Sequence, residues 1–316
     1  MNSKINNKSI VWTKWIALIT AAAAVMIFIS CVSAASQQKA FASGEEAVSA
    51  FIKALKMEDN KELLAIFGAD ANDLIHSGDP VIDRSRREVF TKAYDQKHRL
   101  EAEAEKLVLV IGENDWPFPI PLVKQDQQWI FDTAAGMDEI LNRRIGLNEI
   151  NTIQVMLAVA DAQREYAGKD RDGDGIIEYA LKFRSDPEKK NGLYWETKEG
   201  EKMSPLGLLI ARAIKGGYGR TDASDEPQPY FGYYYRMLAG QGENAVGGAF
   251  DYRVKDNMIG GFAVIAWPAE YGNSGVMTFI VNHDEIVYQK DLGENTEQEV
   301  DKIKLFDPNE TWTKAL

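Results

Sequence analysis

The feature that most constrains this chain is a charge-free run from Trp15 to Gln38. It follows Lys4, Lys8 and Lys14 and contains the only cysteine, Cys31. A positive flank, an apolar core (WIALITAAAAVMIFIS) and then small residues are the layout of a secretory signal. Val32-Ser33-Ala34 satisfies the small-x-small rule and sets residues 1–34 as a signal peptide, with Ala40-Phe41-Ala42 as a second cut. Two alternatives stay open. The 21 uncharged residues from Trp15 to Ala35 are long enough to cross about 30 Å of hydrocarbon as a helix. Cys31, after Phe28-Ile29-Ser30, also ends a lipobox in which Phe replaces the usual Leu. All three readings export the body to the periplasm or cell envelope, and any membrane contact runs through this segment or a lipid on Cys31. One cysteine makes no intramolecular disulfide. The body must hold by packing alone, and its length allows a substantial core.

Charge narrows the partners. Against 36 basic residues stand 48 acidic ones, a net −12, and the leader carries three of the positive charges. The exported body is therefore strongly acidic and repels phosphate backbones, which excludes nucleic acid. Apolar residues at 45% and charged residues at 27% exclude wholesale disorder, a collagen-like chain and a polytopic membrane protein.

The pattern along the body is helices, then strands. Ser43-Gly44-Glu45-Glu46 is a capping box before apolar residues at helical spacing, Ala47 to Leu55. Asp59 and Glu62 open a second helix that Gly68 stops. A third runs over Arg84–Arg99 with Val89, Phe90, Ala93 and Tyr94 as its apolar face. Lys106–Ile111, Phe118–Lys124 and Gln128–Asp132 read as strands. Pro117, Pro119 and Pro121 alternate, which places that strand at an edge. Gly136–Ala167 is a long helix with Ile140, Leu141, Ile150, Ile153, Leu157 and Ala160 as its apolar stripe and Gly146 as a potential break. Ser204-Pro205 starts another helix, with Leu206, Leu209, Ile210 and Ile214 inward and Gly216-Gly217 as its end. Tyr230–Leu238, Gly261–Trp267, Val276–Val281 and Ile286–Gln289 then give an antiparallel sheet. There is no internal repeat.

Helices followed by a strand meander ending in QWIFD resemble the cystatin-like cone fold of the SnoaL-type superfamily, over residues 43–133. That resemblance implies a curved sheet wrapped on a helix, leaving a pocket. The strings DRDGDGIIEYA, NGLYW, SPLGLLIARA, PYFGYYYRMLAGQG, GGAFDY, MIGGFAVIAWPAEYGNSGVMTFIVN, VYQKDLG and FDPNETW, in this order, resemble the bacterial domain-of-unknown-function 2950 family of exported proteins. The match runs from about Phe41 to Trp312 and implies an envelope location and no activity. The chain departs from the pattern at Glu285, where a Gly or Asn would normally close the turn after VNHD. Asn148-Glu149, Ala162-Gln163, Tyr166, YYYRML and YGNSGVMTFIVNHDEIVY also resemble the soluble head of type IV pilin-like proteins, one long helix on an antiparallel sheet. The apolar run ends over 100 residues before that helix, so a polymerising pilin is excluded. The expected fold class is α+β: a cystatin-like cone-shaped module at 43–133, a connecting helix at 136–167 and a pilin-head-like helix-and-sheet module at 168–316.

Candidate chemistry is sparse. Asp170-x-Asp172-x-Asp174-Gly175 sets carboxylates at alternate positions, as a calcium loop does, with the Ile176 carbonyl and Glu178 as further ligands. Leu181 stands where a full EF-hand loop has its bidentate Glu. The plain alternative is a charged turn. The site would be structural, with affinity in the weak range of extracellular modules. His76, His98 and His283 lack metal-ligand spacing. Ser274 in GNSG is not a nucleophile elbow, and Gly240, Gly242, Gly247 and Gly248 are turn glycines without a Walker lysine. Tyr230, Phe231, Tyr233, Tyr234 and Tyr235 suit a strand better than a glycan platform. Lys189-Lys190 and Arg143-Arg144 are too short for basic patches. No catalytic motif is present. The leading expectation is a non-catalytic envelope protein in a structural or adaptor role, with an envelope protein or small ligand as its partner. A small-molecule or glycan binder using the cone pocket is the alternative, and an enzyme is the remaining class.

Overall fold

The structure, a computed structural model, describes residues 38–171, 173–218 and 228–315. The leader, with Lys4, Lys8, Lys14 and Cys31, lies outside the described residues, as does Asp172. Among the described residues no helix is long and apolar enough to cross a membrane. The architecture is mixed α+β, with helices and antiparallel sheets in both halves of the chain.

Local chemistry places the first elements. Ser43 Oγ accepts from the Glu46 N–H at 3.1 Å and opens α1 (Gly44–Lys56), while Glu46 reaches back to the Ala42 N–H at 3.0 Å, one residue short of the Ser43 N–H that a capping box uses. Asp59 caps α2 (Asn60–Phe67), and Gly68 at φ +97° ends it. A short α3 (Asn72–Ile75), absent from the apolar periodicity, follows. Helix α4 (Pro80–Gln96) starts earlier than the expected Arg84, because Asp79 accepts from the Val81 and Ile82 N–H groups and Pro80 fills the first turn.

The first sheet pairs β1 (His98–Glu103), β2 (Lys106–Ile111), β4 (Leu122–Gln125) and β5 (Gln128–Phe131) antiparallel in that order, and β3 (Trp116–Pro117) joins the far end of β2. Strand β1 was not evident from its mixed HRLEAE pattern. The strand expected from Phe118 forms only from Leu122. Prolines at 117, 119 and 121 remove the donors a ladder needs, so the chain leaves the sheet there. It still delivers Phe118 and Ile120 to the core, where the Phe51 ring lies 5.1–5.6 Å from those of Phe67, Phe90, Phe118 and Phe131.

Helix α5 (Thr133–Tyr166) is continuous through Gly146 for 34 residues. Its buried stripe matches the expected one only in part. Ala160 is buried, and Ile140, Ile153 and Leu157 pack half-buried against the two cores, but Ile150 is 60% exposed, and the buried positions also include Arg144, Asn148 and Thr152, followed by Val155, Met156, Val159 and Tyr166. After it come a parallel pair, β6 (Lys182–Arg184) with β7 (Gly192–Tyr194), and helix α6 (Gly207–Lys215). Ser204 does not cap α6. Its carbonyl accepts from the Gly207 N–H at 2.7 Å, so Ser204-Pro205 is a turn and the helix starts beyond it. The helix is thereby rotated so that Ala213 is buried and Ile214 faces outward.

The second sheet holds the longest strands. Strand β8 (Tyr233–Leu238) is followed by two small ribbons, β9 (Gly240–Gln241) with β10 (Phe250–Asp251) and β11 (Arg253–Val254) with β12 (Asn257–Met258). Strands β13 (Ala263–Pro268), β14 (Met277–Asn282) and β15 (Tyr288–Asp291) come next, then α7 (Thr296–Lys302) and β16 (Thr313–Lys314). The order is β16-β15-β14-β13-β8, antiparallel throughout. One face takes the last turns of α5, with Val155, Met156, Val159 and Tyr166 against Tyr233, Val264, Phe279 and Val281. The other face packs Leu238, Ile265 and Ile280 with Val300 and Phe306. Glu285 sits at φ +62°, the region that favours the Gly or Asn it replaces, and its carboxylate pairs with Arg164 of α5 at 2.6 Å.

Candidate functional site

Between the two sheets the buried side chains are polar. Asp79 is fully buried and accepts four hydrogen bonds. Oδ1 takes the Val81 and Ile82 N–H groups, and Oδ2 takes the Tyr218 hydroxyl at 2.7 Å and the Gly232 N–H at 2.9 Å. From α5, Arg144 donates to the Asp73 and Leu74 carbonyls, closing the end of α3, and to Asn273 Oδ1. Asn148 donates to the Ser274 carbonyl at 2.8 Å and accepts from Arg86 Nη2 at 2.9 Å. Glu149 accepts from the Val276 and Met277 N–H groups at the start of β14. Asn273 donates to the His76 carbonyl and to Glu270. Gly232, at φ +74°, is required here, since a Cβ would lie 2.6 Å from the Asn148 amide. Burial pushes the Arg144 guanidinium down to about 10 against the pull of Asp83, and burial beside Asp79 raises the Tyr218 hydroxyl.

Beside this junction, under α4, lies a cleft of about 710 Å³. Its floor is aromatic and aliphatic: Phe51, Phe67, Phe90, Trp116, Phe118 and Ile140. Helix α4 has no buried residue. Phe90, Ala93 and Tyr94, its apolar face, are only half-buried. At the rim Val89 is 66% exposed and Leu147 56% exposed. Four arginines, Arg86, Arg87, Arg143 and Arg144, also line it, with Asp83 and Glu113. Arg87 donates to the Ile75 carbonyl at 2.9 Å, and Arg143 pairs with Glu139 at 2.6 Å while lying over the Trp116 ring. Arg86 differs. Its Nη1 is buried without a hydrogen-bond partner, and burial lowers its affinity for its proton despite Asp83 and Asp79 nearby.

The residues expected from sequence to carry chemistry fall elsewhere. Asp170 accepts from the Gly173 and Gly175 N–H groups, and Asp174 from the Ile176 N–H and the Asn257 amide. Glu178 is buried and accepts from the Met258 N–H at 2.9 Å, so it ties the loop to β12. Asp172 lies outside the described residues. Among the described residues no group of three or more His, Cys, Asp or Glu is arranged to hold a metal ion. Ser274 is buried and exchanges hydrogen bonds with the Glu270 backbone, a turn role. His98 stacks on Tyr94, and His283 packs edge-on against Tyr252 and Phe262. In β8 the aromatics alternate: Tyr233 and Tyr235 join the α5 side, and Tyr234 lies 5.8 Å from Trp267. Asp79, Arg86, Arg144 and Asn148 were missed as a group. The one local signal was Asp79-Pro80, a cap followed by proline. The rest meet only through contacts 62 to 153 residues apart.

The fold and the cleft define an α+β protein with an open apolar site rimmed by arginine. The chain belongs to the DUF2950 family, described as proteins of unknown function, whose model matches residues 38–315. No curated protein and no solved structure matches the chain.

Asp79 gives a direct test of the junction. Asp79→Ala removes a helix cap, worth about 1 kcal/mol, and strands the Gly232 N–H and Tyr218 hydroxyl at about 1–3 kcal/mol each. Urea unfolding should show stability lower by about 3–7 kcal/mol. A loss below about 1 kcal/mol would mean that water replaces the carboxylate and the junction does not depend on it.

Proposed function

We propose that the chain is an exported envelope protein that binds a small, largely apolar molecule in the cleft under α4 and does not transform it. The observation that carries this is the cleft itself. Its volume falls within the roughly 300–1,000 Å³ of small-molecule sites, and its lining is mostly apolar with a few polar groups. A purely structural or adaptor role leaves the half-buried face of α4 and the exposed Val89 and Leu147 without a purpose. An enzyme is less well supported, because the described lining carries no histidine or cysteine and Asp83 already accepts from the Ser77 N–H. The cystatin-like cone at 43–133 suits such a pocket. The pilin-head-like description of 168–316 adds no ligand.

A neutral fluorescent probe, N-phenyl-1-naphthylamine, should gain emission on titration into the mature chain, and Ala93→Trp, which fills the cleft, should weaken it about tenfold or more. No uptake by the unmodified chain would end the binding proposal. Export has its own check. N-terminal sequencing of protein from the envelope fraction should begin at or near Ala35. A cytosolic form starting at Met1 would contradict it, and a lipid on Cys31 would select the anchored form.

Calcium at Asp170, Asp172, Asp174, Ile176 and Glu178 is a separate proposal, supported by the alternate carboxylates and set against Glu178's bond to Met258. Binding to the folded state alone would add about 1.4 kcal/mol at tenfold excess over Kd. Melts in calcium should then lie about 2–4 °C above melts in chelator, and Asp174→Ala should remove the difference. Superimposable melts would leave the loop as a charged turn.

A further inference from the structure

We propose that the ligand of the cleft is an amphiphile with a single negative head, a carboxylate on an alkyl chain, and that Arg86 holds the head. This rests on the binding role proposed above and names its ligand class. Of the four arginines in the lining, Arg87 and Arg144 donate to the carbonyls of Asp73, Leu74 and Ile75, and Arg143 pairs with Glu139 and covers Trp116. Their hydrogen-bonding is largely directed at the fold. Arg86 Nη2 is engaged by Asn148, but Nη1 is buried with no partner. A buried N–H without an acceptor costs stability, and on a guanidinium the cost is larger than on an amide. An acceptor supplied by a ligand removes that cost, and a charged acceptor gains most.

The surroundings choose the head group. Asp83 and Asp79 stand near enough to act on the Arg86 charge, and Asp83 itself lines the cleft. A buried, unpartnered Arg86 nitrogen beside a carboxylate suits a monoanion. Beside Asp83 a head with one negative charge meets less repulsion than a dianionic phosphate. A neutral head would satisfy the hydrogen bond but not the charge. The floor chooses the tail. Phe51, Phe67, Phe90, Phe118 and Ile140 offer a continuous apolar surface, and the exposed Val89 and Leu147 extend it to the rim. Each buried CH₂ then tightens binding about fourfold.

The test is calorimetric titration of the mature chain with dodecanoate, decanoate, dodecanol, dodecyl phosphate and dodecyltrimethylammonium, below their micelle concentrations. Dodecanoate should bind at least tenfold tighter than dodecanol and tighter than dodecyl phosphate. Decanoate should be about 15-fold weaker than dodecanoate, and the ammonium should be weakest. Arg86→Gln should weaken dodecanoate about 30-fold and leave dodecanol nearly unchanged. Arg86→Lys should keep part of the preference and guards against a folding defect in the first variant. Ala93→Trp should weaken acid and alcohol alike. Equal binding of dodecanoate and dodecanol by the unmodified chain overturns the proposal while leaving a neutral apolar ligand standing. Tighter binding of dodecyl phosphate, or an undiminished carboxylate preference in Arg86→Gln, overturns it as well. Failure of every amphiphile and of the neutral probe would overturn both this assignment and the binding role.

Discussion

The rest of the structure depends on the rotation of one helix. Helix α5 contributes Ile140 to the first core and Val155 to Tyr166 to the second. Between them its inward positions are Arg144, Asn148 and Thr152, spaced four apart on one face. Buried polar groups are tolerated only when paired, and their directionality fixes geometry where apolar contacts would allow sliding. Arg144 reaches the end of α3, Asn148 reaches the turn before β14, and Glu149 takes the first two N–H groups at β14. These bonds set how the sheet of residues 98–131 faces the sheet of residues 233–314. Rotating α5 to bury Ile150 instead would break them all. The exposed isoleucine is a smaller loss than several stranded hydrogen bonds.

The same junction explains the cleft. Helix α4 is held at its start by Asp79, in its middle by Arg86 to Asn148, and at its end by the exposed Lys56–Asp95 pair. None of these anchors is apolar. The apolar face of α4 adds only half-buried contacts, with Phe90 5.5 Å from the Phe51 and Phe118 rings, so the polar ties hold the helix while the cleft stays open beside that face. Opposite it, the prolines at 117, 119 and 121 pull the chain out of the sheet and turn Phe118 and Ile120 into the core beneath. A continuous strand there would lie flat and leave less room.

Much of this was legible in sequence where the signal is local. Ser43, Asp59 and Gly68 bound their helices as read, Lys106–Ile111 is a strand as read, and the ordered strings from DRDGDG to FDPNETW mark the family. The positive φ at Glu285 was foreshadowed by the expectation of Gly or Asn there. Errors came where distant partners overrode local preference. Ser204-Pro205 has the grammar of a helix start, yet the start moved to Gly207. The apolar stripe assigned to α5 left out Arg144 and Asn148, because nothing near them in sequence shows the carbonyls they meet. The site was illegible for the same reason. An arginine pair looks like two solvated charges until the fold places Ile75 and Asn148 beside it.

A body without disulfides makes the half-empty cleft more consequential. Covalent ties would let α4 keep its place whatever lies beneath it. Here the polar anchors and a partly filled apolar face must do so, and a half-buried Phe90 or Tyr94 contributes less than the roughly 1.5–3 kcal/mol of a fully buried side chain. A molecule bound in the cleft would complete that burial. Its occupancy and the stability of α4 would then form one linked equilibrium, since a molecule bound only by the folded state stabilises it in proportion to the logarithm of its concentration over Kd. Asp79 and Asn148 transmit the position of α4 to β8 and β14 through bonds to Gly232 and Ser274. The cleft and the second sheet are joined by these directional bonds, so the state of one bears on the setting of the other.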